Sequence, residues 1–134
     1  MGSSSLLAWL QKVLGRSRAV DVPHSPPVDQ RWARSFECDK GLLEILSLLN
    51  AAGPWRWHVR DKEAFGDYLA CGPAAGLSVR LYDLDGYDSN GPTYTVDFER
   101  RQNCELEGAA VEAQLREHLG LLGASRIAPA DYWD

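Results

Sequence analysis

The chain has 134 residues, with 14 lysines and arginines against 19 aspartates and glutamates, and a formal net charge of −5. This length suits a single domain with its own core, and a content of 45% hydrophobic and 25% charged residues is typical of globular proteins. The acidic balance argues against a basic nucleic-acid binder, no apolar run approaches the roughly 20 residues of a membrane span, and three cysteines are too few for a disulfide scaffold.

The beginning of the chain is basic, whereas the rest is acidic. Lys12, Arg16 and Arg18 give residues 1–20 a charge of +3, and the remaining residues carry 11 bases and 19 acids, hence −8. A secretory signal needs an uninterrupted apolar core, but Gln11 and Lys12 break the apolar run here. The cysteines lie 33 residues apart, which excludes a CxxC pair and favours buried thiols in a reducing compartment. We therefore expect a cytoplasmic protein.

A short amphipathic helix is predicted at 6–14, where apolar residues recur at helical spacing. Its polar side is basic, so it could pack on its own domain, on a second subunit to form a homodimer, or on an anionic membrane. Three prolines in the following polar stretch predict an extended connection over 17–35. The expected organisation is therefore an N-terminal helix and proline-rich connection at 1–35 and a single domain at 36–134.

The domain is predicted to begin with a helix over 39–52, with Asp39 as N-cap and Gly53 with Pro54 as the stop. The period then changes from 3.6 to 2. Alternation predicts strands over 55–60, 77–83 and 93–99, and 67–71 is a shorter strand candidate between the first two.

Helical spacing returns over 107–122, which is followed by Gly123 and by a short last strand at 126–128. Strands that are grouped together, rather than alternating with helices, are typical of the α+β class. The sequence therefore predicts an antiparallel meander of about four strands with the helices packed on one face, in addition to the short N-terminal amphipathic helix.

The uncovered face of this sheet is the first candidate site. It is predicted to carry polar side chains from three strands, namely Arg56, His58, Arg60, Ser78, Arg80, Tyr82, Thr95, Asp97 and Glu99. Two interpretations are open: the opposite charges form cross-strand pairs on a solvated face, or they form a binding surface with Tyr82 as an aromatic anchor.

The second candidate is the acidic loop at 83–91, which contains Asp83, Asp85 and Asp88. Its spacing does not match the calcium loop of an EF-hand, because Tyr87 occupies a ligand position in either register. We therefore expect a hairpin loop that could contact a basic partner, and no metal site.

Catalytic motifs such as GxSxG, HExxH, a Walker loop or GxGxxG do not occur in the sequence. We therefore predict a non-enzymatic protein-binding module without a cofactor. Its partner-binding residues are predicted to be Arg56, His58, Arg60, Arg80, Tyr82, Asp83, Asp85 and Asp88.

Three functions are compatible with this prediction. Small size, acidity and the α+β order resemble, in general character, two bacterial groups: immunity proteins that block toxins, and acidic chaperones of secretion effectors. A toxin-neutralising inhibitor that acts by occlusion is preferred. The alternatives are an effector chaperone, and a small enzyme that uses a carboxylate or histidine on the open sheet face.

Overall fold

A computed structural model describes residues 26–62, 66–83 and 93–132. The helix predicted at 6–14, and with it the proposed homodimer contact, lies outside these residues. The described elements, in chain order, are β1 (Val28–Glu37), α1 (Leu42–Ala52), β2 (His58–Lys62), β3 (Gly66–Cys71), β4 (Leu77–Tyr82), β5 (Thr93–Arg101), α2 (Gly108–Leu122) and β6 (Ser125–Pro129).

The strands form one antiparallel sheet in the order β2-β3-β4-β5-β1-β6. Strands β2 to β5 follow each other as a meander. Strand β1 then pairs with β5 on one side and with β6 on the other. The described chain therefore begins and ends in the same half of the sheet, while β2 forms the opposite edge.

The predicted fold of about four strands with helices packed on one face is wrong. Within the described residues the sheet has six strands, strand predominates over helix, and the two helices do not form an evident layer over one face. Close backbone approaches join mainly neighbouring strands, and α1 approaches α2 and β3. The error lies mainly in the strands at the two ends of the chain.

Strand β1 was missed because its apolar alternation is interrupted. The register with β5 places Trp32, Arg34 and Phe36 on one face, opposite three apolar residues. The Arg34 side chain is partly buried, and its guanidinium lies 4.6 Å from the centre of the Trp32 ring and donates to the Ala33 carbonyl. The sequence placed an extended connection over 17–35, but the strand begins at Val28, directly after the last proline of that stretch.

Two other boundaries differ from the prediction. Helix α1 begins at Leu42 with Gly41 at the N-cap, so Asp39 does not cap it. Strand β2 begins at His58, and Trp57 precedes it with its backbone N–H bound to the Asn50 side chain. The predicted ends of both helices at Gly53 and Gly123 are confirmed.

One cluster of buried residues forms the core and joins side chains from one face of the sheet with side chains from both described helices. It contains Trp32 and Phe36 from β1, Leu69 and Cys71 from β3, Leu77, Val79 and Leu81 from β4, Tyr94, Val96 and Phe98 from β5, and six helical residues, Ile45, Leu49, Val111, Leu115, Leu119 and Leu122. Two aromatic pairs stack across β1 and β5, Trp32 with Phe98 and Phe36 with Tyr94.

The three cysteines are buried and free, as the sequence predicted. Burial raises the pKa of the Cys71 thiol to about 12, so almost none of the reactive thiolate forms near neutral pH. We expect the native protein to react very slowly with a thiol reagent at pH 8, and to release three equivalents of product in denaturant. A thiol that reacts rapidly before unfolding would contradict the buried positions of these side chains.

Candidate partner-binding site

Side chains that alternate with the core residues lie on the opposite face of the sheet, which we call the polar face. The strand registers place on it Arg31 and Ala33 from β1, His58 and Arg60 from β2, Tyr68 and Ala70 from β3, Ser78, Arg80 and Tyr82 from β4, and Thr95, Asp97 and Glu99 from β5. Two parts of this face differ in how their charges are compensated.

The first part centres on Asp97, whose side chain is 0% exposed. The Arg80 guanidinium binds it through two bonds, Nε to Oδ1 at 3.0 Å and Nη2 to Oδ2 at 2.7 Å. The Tyr82 hydroxyl donates to Oδ2 at 2.9 Å. Arg80 and Asp97 are direct partners in the β4–β5 register, so this is the cross-strand pair that the sequence offered as one interpretation.

Burial and charge act in opposite directions at this pair. Burial raises the pKa of the Asp97 carboxyl, against the lowering effect of the hydrogen bonds and charge of Arg80. Burial alone would lower the pKa of the Arg80 guanidinium, but the Asp97 carboxylate outweighs it and raises that pKa. Burial, followed by the charge of Asp97, raises the pKa of Tyr82. Tyr82 therefore stays protonated, and its hydroxyl donates a hydrogen bond to the carboxylate.

The segment after β6 lies against the same part of the polar face. The Tyr132 ring has the guanidinium carbons of Arg31 and Arg80 each 4.9 Å from its centre. Arg31 also binds Glu99 through Nε at 3.0 Å and Nη2 at 2.8 Å, and Arg101 binds Glu99 at 3.1 Å. The cations in this part are therefore compensated by carboxylates and by an aromatic face.

The raised pKa values of the buried tyrosines predict how the stability of the fold changes at alkaline pH. Burial is the largest cause that raises the pKa of Tyr82 and Tyr94 above 10.0. Above about pH 10 an unfolded tyrosine loses its proton while the folded one keeps it, so stability is present below that pH and falls as pH rises toward the folded pKa. We expect urea unfolding to show this decline, and the Tyr82→Phe variant to show a shallower one. Equal slopes in the two proteins would contradict the raised pKa of Tyr82.

The second part is a shallow depression of about 260 Å³ at the β2 side of the face, which we call the basic depression. Its lining includes His58 and Arg60 from β2, Tyr68 from β3, and Ser78 and Arg80 from β4. The registers bring these strands together, because Ala70 is the direct partner of both His58 and Arg80. Within the described ranges, no ion pair involves His58 or Arg60.

The structure unites part of the predicted site. His58, Arg60 and Arg80 line the basic depression, as their alternation predicted. Arg56 is exposed on the connection before β2 and does not belong to the sheet. Tyr82 is fully buried, so it offers no surface to a partner in this conformation. The partner-binding roles of all these residues stay predictions.

The acidic loop is described only in part. Asp83 follows β4 and is partly buried, whereas Asp85 and Asp88 lie outside the described residues. The contact that this loop was predicted to make with a basic partner therefore stays a prediction.

Sequence reasoning missed Tyr68 and Tyr132 as members of the polar face. Tyr68 stood in a predicted strand, so the period of 2 could have placed it beside Arg60, its direct partner in the register. Tyr132 belongs to a tail without periodicity, and no sequence signal brings it to Arg31 and Arg80.

Neither a metal cluster nor a membrane-spanning helix is found among the described residues. In these ranges no group of three or more His, Cys, Asp or Glu side chains is arranged to hold a metal ion. No helix in the same ranges combines the length and the apolar character needed to cross a membrane. No protein-family model, curated protein or solved structure matches this chain.

Proposed function

We propose that the protein is a non-enzymatic protein-binding module whose basic depression binds an acidic segment of a partner protein. The observation that carries this proposal is the contrast between the two parts of the polar face. Near Asp97 and Glu99 the cations have carboxylate partners. At His58 and Arg60 the described structure supplies none.

Charge complementarity explains why such a position suits binding. An acidic protein that exposes an arginine and a histidine beside a tyrosine presents a local field opposite to its net charge. Arginine and tyrosine are also enriched among the residues that contribute most to protein–protein affinity. The basic depression is open and shallow, which fits an extended chain better than a small molecule that must be enclosed.

The buried carboxylate supports binding rather than catalysis. Asp97 is 0% exposed, and its two oxygens are held by Arg80 and Tyr82. A general acid or base must reach the proton that it transfers. Asp97 has no such access in this conformation, so its pair with Arg80 fits a structural role.

The proposal also includes a biological role, a cellular location and the charge of the partner segment. The preferred role is an immunity-type inhibitor that occludes its target, with a cytoplasmic location that suits three free thiols. The expected partner segment is acidic because the described structure supplies no carboxylate partner for His58 and Arg60. The contact of a basic partner with Asp83, Asp85 and Asp88 remains the competing hypothesis.

A charge-matched pair of variants tests the proposal. The probe is an N-acetylated, C-amidated ten-residue peptide of alternating Glu and Thr, compared with Gln/Thr and Lys/Thr peptides of the same length by calorimetry. We expect the Glu/Thr peptide to bind best, and Arg60→Gln to weaken it about fivefold, as the loss of about 1 kcal/mol from one exposed ion pair implies. Added salt should reduce both the affinity and this difference.

Arg126→Gln is the matched control, because it also removes one exposed arginine from an edge strand, at the opposite edge of the sheet. It should leave the affinity for the Glu/Thr peptide unchanged. Equal binding of the Glu and Gln peptides would overturn the proposal. Preferential binding of the Lys/Thr peptide would overturn it in favour of the acidic loop.

A further inference from the structure

The two edges of the sheet differ in their readiness to accept another strand. Edge strand β6 ends in Pro129, contains Arg126 with a φ of 53°, and pairs with β1 through an irregular register. Proline lacks an N–H donor, and irregularities twist an edge away from further pairing. The β6 edge therefore carries the features that prevent strand addition.

The β2 edge is regular. All five of its residues pair with β3 in unbroken register, from His58 with Ala70 to Lys62 with Gly66. It contains no proline, and no described strand pairs with its outer side. In an antiparallel ladder every second residue turns its N–H and C=O away from the neighbouring strand. The outer side of β2 is therefore a row of backbone donors and acceptors that suits one more strand.

The side chains of β2 determine which side chains an added strand would favour on each face of the sheet. His58 and Arg60 lie on the polar face, whereas Val59 and Asp61 lie on the opposite face, beside Asp67 of β3. Acidic side chains of an added strand are therefore attracted to the polar face and repelled from the other. Val59 is 42% exposed, so it favours β-branched side chains at the alternate positions.

A second copy of the chain fits this edge poorly. If two β2 strands paired antiparallel about their centres, Arg60 would lie directly opposite Arg60 of the other copy. Like charges in direct cross-strand positions are destabilising. The edge thus favours a different chain of opposite charge over self-association.

We propose that β2 binds its partner by strand addition: an extended segment with acidic residues at every second position becomes a seventh strand, its carboxylates toward His58 and Arg60. This inference rests on the proposed function and adds the backbone geometry of binding. Affinity comes from main-chain hydrogen bonds along β2, and specificity from the alternating side chains.

N-methylated peptides separate backbone pairing from simple charge attraction. The Glu/Thr peptide is compared with two versions, one methylated on the amides of all Glu residues and one on those of all Thr residues. A strand on a single edge uses only one of these two sets of N–H groups. We expect one version to lose at least tenfold in affinity and the other to stay within about threefold of the parent peptide. Hydrogen exchange of β2 amides should slow when the parent peptide binds.

Each alternative predicts a different result. Equal affinity of all three peptides, or equal loss in both methylated versions, would overturn strand addition while leaving the charge-based proposal in place. Failure of the parent peptide to bind would instead overturn the proposed function itself. A dimer with protected β2 amides in the absence of peptide would overturn the inference in favour of a second copy.

Discussion

Replacing Asp97 with asparagine is expected to destabilise the fold by about 3–5 kcal/mol, the usual cost of breaking a buried ion pair by removing one partner. The Arg80 side chain is 13% exposed and places two N–H groups on this carboxylate. Without it, a mostly buried positive charge loses the group that neutralises it, and Tyr82 loses its charged acceptor. Urea unfolding should show a lower midpoint with an unchanged slope.

Two further variants give this prediction a control. Asp61 is exposed on β2, so Asp61→Asn should change stability by no more than about 0.5 kcal/mol. The double variant Arg80→Met/Asp97→Leu replaces both charges with apolar groups and should recover most of the loss, because neither charge then remains buried alone. A loss below about 1 kcal/mol in Asp97→Asn would show that the pair contributes little to the fold.

The pair of Arg80 and Asp97 also shows why the two parts of the polar face differ in charge compensation. Asp97 and Glu99 on β5 hold the arginines of the neighbouring strands, so the centre of the face is occupied by its own charges. At the edge, separated from β5 by two strands, β2 has no carboxylate on the same face. The proposed binding site therefore lies at the edge, where the backbone of β2 has no described strand partner on its outer side.

The sequence predicted the middle of the sheet well because its signal there is local. Leu77, Val79 and Leu81 alternate on β4 with side chains of the other face, and burial follows that alternation up to Leu81. Strand β6 has the opposite property, since all five of its residues are exposed. Strand β6 forms by hydrogen bonding to the free edge of β1. Its formation therefore depends on tertiary pairing rather than on a hydrophobic period in its own sequence.

For the candidate site, the sequence predicted the face on which a side chain lies but not its ion-pair partner. Alternation alone placed His58, Arg60 and Arg80 on one face. The pairing of Arg80 with Asp97 depends on the register of β4 and β5, which a period of 2 does not determine beyond the choice of face. The sequence could therefore propose Arg80 and Tyr82 as surface contacts without revealing that a buried carboxylate holds both.

The second large effect is expected in the core, at Phe98. This side chain is 0% exposed and lies between Trp32 of β1 and Val79 of β4 in the strand registers. Its ring stacks on Trp32 with centres 5.5 Å apart. Phe98→Ala should cost about 3–5 kcal/mol, because it removes buried apolar area and leaves a cavity that strands on both sides cannot close.

Loss of the aromatic pair adds to that cost, by about 0.5–1.5 kcal/mol beyond the buried area. A domain of this size is stable by about 5–15 kcal/mol in total, so the variant should be close to unfolding at 37 °C. Phe98→Leu fills most of the cavity and should lose clearly less. Leu43→Ala is the matched control, because Leu43 is 70% exposed on α1 and should change stability by no more than about 0.5 kcal/mol.

Chemical denaturation followed by far-UV circular dichroism measures all three variants, and near-UV dichroism reports whether the aromatic packing around Trp32 persists. A Phe98→Ala protein that unfolds at the midpoint of the Leu43→Ala protein would contradict the position of Phe98 in the core. If the order is as expected, the stacking of Phe98 on Trp32 stabilises the junction between β1 and β5. Strands β3 and β4 separate this junction from β2. The proposed addition of a partner strand at β2 would therefore leave the contact between Phe98 and Trp32 unchanged.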